Sequence, residues 1–141
     1  MSDLYDRDFY AWTAEQAGLL RAGNVSGADI AHIAEELESM GRSEKRELVS
    51  RLTVLLQHLL KWQYQPDRRS TSWRLSIANT RDQLAEHLAD NPSLKAKLPD
   101  AMTSAYRYAR RYAAIESGFP ESTFPVDCPW TFDQAMQEEA Q

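Results

Sequence analysis

Five of the six leucines between Ser43 and Tyr64 constrain the fold of this chain more than any other feature. On a helix of 3.6 residues per turn they fall within one stripe, the width that is typical of a helix packed on a core. The stretch covers about 20 residues, which corresponds to a helix of roughly 30 Å. Because Gly41 and Pro66 are residue types that end helices, the sequence predicts a central helix from Ser43 to Tyr64. The stripe consists of Leu48, Leu52, Leu55, Leu56 and Leu59.

Composition favours an all-α fold. In 141 residues, leucine and alanine together number 33, whereas valine and isoleucine together number 8, and the first pair forms helices more readily. A chain of this length fits one domain, so we predict a single-domain antiparallel helical bundle over residues 1–141. The sole cysteine, Cys128, excludes an internal disulfide and favours a cytoplasmic protein. The chain begins without a signal-peptide pattern, and no window reaches the ~18 apolar residues of a membrane span.

Two helices are predicted before the central one. The first covers residues 4–22 and ends at Gly23. The second begins after Asp29, a favourable N-cap residue, and ends at Gly41. Its apolar residues are spaced for burial on one face. Those expected to be buried are Ile30, Ile33, Ala34, Leu37 and Met40.

Further helices are predicted after the central one. One begins after the loop PDRRSTS, and another runs over about residues 99–118, with Tyr112 facing inward and Tyr106 on its flank. The segment FPESTFPVDCPW contains three prolines and is expected to be irregular. Thr131 and Gln134 form a capping box that predicts a short last helix.

Charge is distributed unevenly along the chain. Residues 1–41 carry 2 basic and 8 acidic side chains, residues 42–81 carry 9 and 3, and residues 82–141 carry 5 and 10. The basic middle either packs against acidic helices or binds an anionic ligand or nucleic acid. The net charge of −5 argues against nucleic acid, because non-specific phosphate affinity depends on surplus positive charge. The candidate anion-binding or interaction surface comprises Lys61, Tyr64, Arg68, Arg69, Trp73 and Arg74.

A polar cluster is the second candidate site. A turn at Gly41 would fold the second helix back along the central one, so that its carboxylates could meet His58. We expect His58 to be at least half buried, with a carboxylate or a carbonyl on one ring nitrogen. Such a cluster is either a metal site or a buried network that fixes helix register. The chain lacks HExxH and a repeated ExxH, so no metal, cofactor or catalytic residue is assigned. The cluster comprises Glu35, Glu36, Arg51, His58 and Trp62.

Several segments in fixed order resemble a known family. They are LYDRDFYAWTAEQAGLLRAG, the central stretch with its leucines, RRSTSWRLSI, DNPSLK, AYRYARRYA and FPVDCPW. Together they are similar to the bacterial family catalogued as domain of unknown function twenty-nine, from about Tyr5 to Met136. The resemblance implies an all-helical fold and supplies no activity and no catalytic residues.

The sequence favours a small cytoplasmic protein that acts through protein–protein contacts, with an unknown partner protein or as a homo-oligomer. No cofactor motif and no convincing catalytic set supports an enzyme. One alternative is a nucleic-acid-associated protein that uses the basic hairpin 61–74. Another is a metal-dependent enzyme centred on His58 and the carboxylates of the second helix.

Overall fold

The computed structural model describes residues 4–140, and all regular secondary structure within that range is helical. The all-α class is therefore confirmed. Within the same range, no helix has both the length and the apolar character that crossing a membrane requires. The α-helices are α1 (Leu4–Arg7), α2 (Phe9–Arg21), α3 (Ile30–Tyr64), α4 (Thr71–Asp90), α5 (Leu98–Ser117) and α6 (Phe132–Ala135).

The predicted turn at Gly41 is wrong, because α3 runs without interruption from Ile30 to Tyr64. Gly41 lies in helical backbone, whereas Gly23 and Gly118 have the positive φ of helix ends. A glycine inside a helix costs only about 1 kcal/mol relative to alanine, which is too little to end a helix that is supported on both sides. The predicted second and central helices are therefore one helix of 35 residues.

The chain forms two compact units, residues 1–44 and residues 45–141. Residues 30–44 of α3 belong to the first unit, and residues 45–64 belong to the second. A single domain over the whole chain stays a prediction.

The first unit is built around aromatic rings. Trp12 is buried, and its ring packs against those of Tyr5 and Phe9, at centroid distances of 4.8 and 5.5 Å. His32 of α3 stacks on Tyr5 with ring centroids 3.9 Å apart and planes 9° from parallel. These contacts join α1, α2 and the start of α3 through aromatic rings, and those of Tyr5, Trp12 and His32 also carry polar atoms.

Two predictions for the first unit are wrong. The predicted first helix is split at Asp8, whose backbone leaves the helix and whose carboxylate accepts a hydrogen bond from the N–H of Ala11 as the N-cap of α2. Ile30, Leu37 and Met40 were expected to be buried, but they are 49, 61 and 63% exposed, and Ala34, for which burial was also expected, is exposed as well. The reason is that the unit packs on the face of α3 that carries His32, which leaves these three side chains at the surface.

The second unit has an aliphatic core, in which the predicted leucine stripe is fully buried. Helix α4 adds Ile77 and Leu84, and α5 adds Ala105, Ala109 and Ala113, all of them without exposed surface. These alanine side chains of α5 belong to the same buried cluster as the leucines of α3. The prediction that the five leucines form the face of a helix that packs on a core is confirmed.

The predicted roles of two tyrosines on α5 are wrong. Tyr106, expected on the flank, is buried, and its hydroxyl donates a hydrogen bond to the carbonyl of Pro125 at 2.6 Å. Tyr112, expected inside, is 43% exposed. The proline-containing segment decides the difference, because it offers the acceptor that a buried tyrosine hydroxyl requires. The capping box of Thr131 and Gln134 at the start of α6 is confirmed.

Candidate functional site

The predicted polar cluster is dispersed among separate local contacts. Glu36 accepts a hydrogen bond from the Tyr5 hydroxyl in the first unit, and Glu35 is exposed. Arg51 donates to Glu47, one turn earlier on α3. The turn that would have brought the glutamates to His58 does not form, since Gly41 lies inside α3.

His58 lies on the second unit with less than half of its side chain exposed, as predicted. Its Nδ1–H donates to the carbonyl of Val54 at 2.8 Å, so the predicted carbonyl partner is confirmed. Burial lowers the pKa of His58, with a smaller contribution from the charge of Lys61. The imidazole is therefore neutral at pH 7 and is held by its own helix.

The basic hairpin uses several of its cations within the chain. Lys61 is buried, its Nζ lies 2.6 Å from a carboxylate oxygen of Glu116, and it also lies 4.7 Å from the ring centroid of Trp73. The guanidinium groups of Arg69 and Arg74 lie 4.9 and 5.7 Å from the ring centroid of Trp62. These cation–π contacts cover aromatic surface that a stacked base would need.

The other members of the hairpin differ in exposure. Tyr64 packs edge-on against Phe124, with ring centroids 5.2 Å apart, and is partly buried. Arg69 also donates through Nε to the carbonyl of Trp62 at 2.7 Å, which fixes the loop to the end of α3. Arg68 is exposed. Most side chains of the hairpin named here thus make contacts within the second unit that hold the loop between α3 and α4 in place.

A groove of about 350 Å³ lies between α3 and α5 of the second unit. Val49, Thr53 and Val54 line it from α3, and Tyr108 and Tyr112 line it from α5. The two tyrosine rings are nearly parallel, with planes 20° apart and centroids at 6.4 Å. Val54, Tyr108 and Tyr112 are 40, 37 and 43% exposed. This groove, called the α3–α5 groove below, presents aromatic and aliphatic surface to solvent.

The charge around the α3–α5 groove is mainly positive. Arg107 and Arg111 are exposed on α5, and the guanidinium of Arg107 lies 5.3 Å from the ring centroid of Tyr108. Arg46 is exposed one turn before the groove on α3. The nearest acid along α5, Glu116, is paired with Lys61, and that hydrogen bond lowers the pKa of Glu116. A binding partner would therefore meet apolar surface bordered by arginines.

Sequence reasoning missed this groove, because it placed Tyr112 inside the bundle. A usable signal was present: Tyr108, Tyr112 and Ile115 follow one another at spacings of four and three, which places them on one helix face. Ile115 is 70% exposed. The spacing shows that the three share a face but does not show whether another element covers it.

A second constellation that sequence reasoning missed surrounds Asp29 in the first unit. Its carboxylate accepts hydrogen bonds from Trp12 Nε1 at 3.2 Å and from His32 Nδ1 at 2.7 Å. Its own N–H donates to the buried Gln16 side chain at 2.7 Å. Asp29 was predicted only as an N-cap, and it also connects α2 with the start of α3.

Protonation in this constellation is shifted by these contacts. The hydrogen bond to Asp29 raises the pKa of His32, and the same bond lowers the pKa of Asp29. The hydrogen bond to Glu36 is the main cause that raises the pKa of Tyr5 to about 12. His32 thus pairs with Asp29, whereas Glu36 pairs with Tyr5.

Two further polar features occur in the second unit. His87 of α4 is buried, and its Nδ1 lies 3.6 Å from a carboxylate oxygen of Glu47. This polar contact links α4 to α3. A cavity of about 590 Å³ between α5 and the proline-containing segment is lined in part by Cys128. The thiol of Cys128 donates to the carbonyl of Trp130, and burial raises its pKa. A protonated, hydrogen-bonded thiol is a poor nucleophile.

Comparison with known proteins gives one positive result. The model of the family described as "Domain of unknown function DUF29" matches residues 4–140, nearly the whole chain. No curated protein and no solved structure gives a match.

Proposed function

The chain belongs to the DUF29 family, whose description names no activity, and we propose that it acts by binding another protein in the α3–α5 groove. The observation that carries this proposal is the set of large apolar side chains left exposed on two adjacent helices. The partner chemistry that fits is an amphipathic helix with acidic residues beside its apolar face. As part of the same proposal we place the protein in the bacterial cytoplasm.

Exposed apolar surface supports the proposal that another protein binds in the groove. Burying apolar surface contributes roughly 25 cal/mol per Å², and tyrosine provides a large apolar area with few rotatable bonds. Tyr108 and Tyr112 stand on one side of the groove, and Val54 stands on the other. An apolar depression between two helices is the usual receptor for a third helix.

The charge around the groove supports the proposal that the partner helix is acidic. Arg107 and Arg111 border the tyrosines, whereas the neighbouring carboxylate of Glu116 is already paired. Complementary charge speeds association and excludes partners of the wrong sign. An acidic amphipathic helix therefore fits this surface better than a basic helix or a neutral one.

Photocrosslinking in the native host tests the proposal. A benzophenone amino acid is placed at Tyr112, inside the groove, and in a second variant at Gln83, an exposed position on α4 outside it. We expect protein adducts from position 112 and none from position 83. The absence of adducts at 112, or the same adducts at both positions, would contradict groove binding.

A further inference from the structure

The cavity between α5 and residues 119–130 has the size of a small-molecule site. Its volume is about 590 Å³, within the range of roughly 300–1,000 Å³ that is usual for ligand pockets. It lies wholly in the second unit and shares no lining residue with the α3–α5 groove. We call it the α5 cavity, and a ligand bound there would leave the proposed protein-binding surface open.

Apolar side chains line the α5 cavity on the side of the core. Met102 and Tyr106 are buried members of the core cluster, and the half-buried Trp130 packs against that cluster. The Tyr106 hydroxyl already donates to the carbonyl of Pro125, so its ring is the part that is available to a ligand. This wall suits an aromatic or long aliphatic group, because aromatic rings bury large apolar areas and stack on one another.

Hydrogen bonds hold residues 119–130 against α5 and keep the cavity in shape. Arg110 donates through Nε to the carbonyl of Phe124 at 3.2 Å, and one of its terminal nitrogens lies 3.3 Å from a carboxylate oxygen of Glu121. Three prolines among residues 119–130 restrict the backbone further. The site is thus formed before a ligand arrives, which reduces the entropy that binding would otherwise lose.

Two opposite charges at the α5 cavity are not neutralised by a partner. Arg107 and Asp127 both line it and are exposed, and no salt bridge within residues 4–140 joins either of them to another side chain. Burial is the main cause that raises the pKa of Tyr106 to about 12, and the charge of Asp127 contributes to that shift. The Asp127 carboxylate therefore acts on the inner wall of the cavity.

We propose that the α5 cavity binds a free amino acid with a large apolar side chain. In the complex, the ligand carboxylate pairs with Arg107, whose planar guanidinium matches a carboxylate with two parallel hydrogen bonds. The ligand ammonium pairs with Asp127. Its side chain packs on Met102, Tyr106 and Trp130.

Charge favours a zwitterion over simpler ligands. An apolar anion would be repelled by Asp127, and an apolar cation would be repelled by Arg107. A neutral apolar molecule would remove water from both charges without replacing it by a partner. Only a ligand with both charges and an apolar body satisfies every part of the cavity wall.

Calorimetric titration of the full chain tests the inference. The probes are phenylalanine, tryptophan and leucine, and we expect at least one of them to bind with a dissociation constant below about 1 mM. The tightest of the three is then compared with its N-acetyl derivative, which lacks the ammonium, with its amide, which lacks the carboxylate, and with alanine, which lacks the large side chain. Each of these should bind about tenfold more weakly or worse.

Substitutions connect each ligand charge to one side chain. Arg107→Gln should weaken binding of the amino acid by about tenfold and should not weaken binding of its amide. Asp127→Asn should likewise weaken binding of the amino acid and should not weaken binding of the N-acetyl derivative. Arg111→Gln is the matched control, because Arg111 borders the α3–α5 groove but does not line the α5 cavity. Circular dichroism checks that all three variants are folded.

Several results would overturn the inference. They are the absence of binding by all three amino acids, equal binding of the analogues that lack a charge, or Arg107→Gln and Asp127→Asn variants that bind as the Arg111→Gln control does. The NMR signal of the Trp130 indole N–H should shift when the ligand is added, and shifts confined to Tyr108 and Tyr112 would show that the ligand lies in the α3–α5 groove instead. Crosslinking at position 112 tests the proposed function independently of these outcomes.

Discussion

The two units of this chain are stabilised by different kinds of side chain. The second unit buries a continuous set of leucines with alanines of α5. The first unit buries one tryptophan and joins its helices through rings and polar atoms around Asp29 and His32. Stability in the second unit therefore depends on filled volume, whereas in the first unit it also depends on protonation and hydrogen bonding.

The largest expected effect is in the aliphatic core. Leu55→Ala should lower the free energy of unfolding by about 2–5 kcal/mol, through lost transfer energy and the cavity left behind. The matched variant Leu37→Ala, at a 61% exposed position of the first unit, should change it by less than about 0.5 kcal/mol. Urea unfolding measures both values. Equal losses would show that Leu37 is as deeply buried in solution as Leu55, and the contrast between the two units would then be wrong.

A smaller effect is expected at the hydroxyl of the buried Tyr106. Tyr106→Phe removes its hydrogen bond to the carbonyl of Pro125 and should lower the free energy of unfolding by about 0.5–1.5 kcal/mol. Tyr112→Phe, the control on the same helix, changes an exposed ring and should have almost no effect. Thermal unfolding of the two variants compares them directly. A larger loss for Tyr112→Phe would mean that the two rings have been assigned to the wrong environments.

The smallest expected effect is the pH dependence of stability. It should have opposite signs in the two units, because His32 belongs to the first and His58 to the second. The folded-state pKa of His32 is raised, so its contribution to the first unit is complete below about pH 6.5 and is lost as the pH rises through the folded value. The folded-state pKa of His58 is lowered, so its contribution to the second unit is present above about pH 6.5 and is lost as the pH falls.

NMR titration of the imidazole resonances measures the two pKa values, and amide hydrogen exchange in α2 and α4 reports the stability of each unit. We expect protection in α2 to fall as the pH rises above about 6.5 and protection in α4 to fall as the pH drops below about 6.5. His32→Gln and His58→Gln should each remove the trend in one unit only. If the pKa values of both histidines were shifted in the same direction from the unfolded value, the contrast between the two units would be wrong.

The sequence predicts the leucine core well, because burial of several leucines on one helix face outweighs every competing local preference. It fails at Gly41, where a propensity cost of about 1 kcal/mol does not decide between a turn and a continuous helix. It also fails for Tyr106 and Tyr112, since both lie beside the alanine face of α5 and only the carbonyl of Pro125 decides which ring is buried.

The candidate site was less predictable than the core, for a physical reason. Periodicity identifies the apolar faces of a helix, but it does not reveal whether another element covers them. Leu37 has the same spacing pattern as Leu55, yet the first is exposed and the second is buried. The contacts of Asp29 with Trp12 and His32 likewise connect positions whose meeting depends on the path of the chain between them.

The most direct test is to identify what binds in the α3–α5 groove. A benzophenone amino acid is placed at position 112 of the full chain in the native host, the cells are irradiated, and the crosslinked peptide is identified by mass spectrometry. We expect an adduct whose partner peptide is an amphipathic helix with acidic residues beside its apolar face. The absence of an adduct, or a partner peptide with basic residues beside its apolar face, would contradict binding of an acidic helix in this groove.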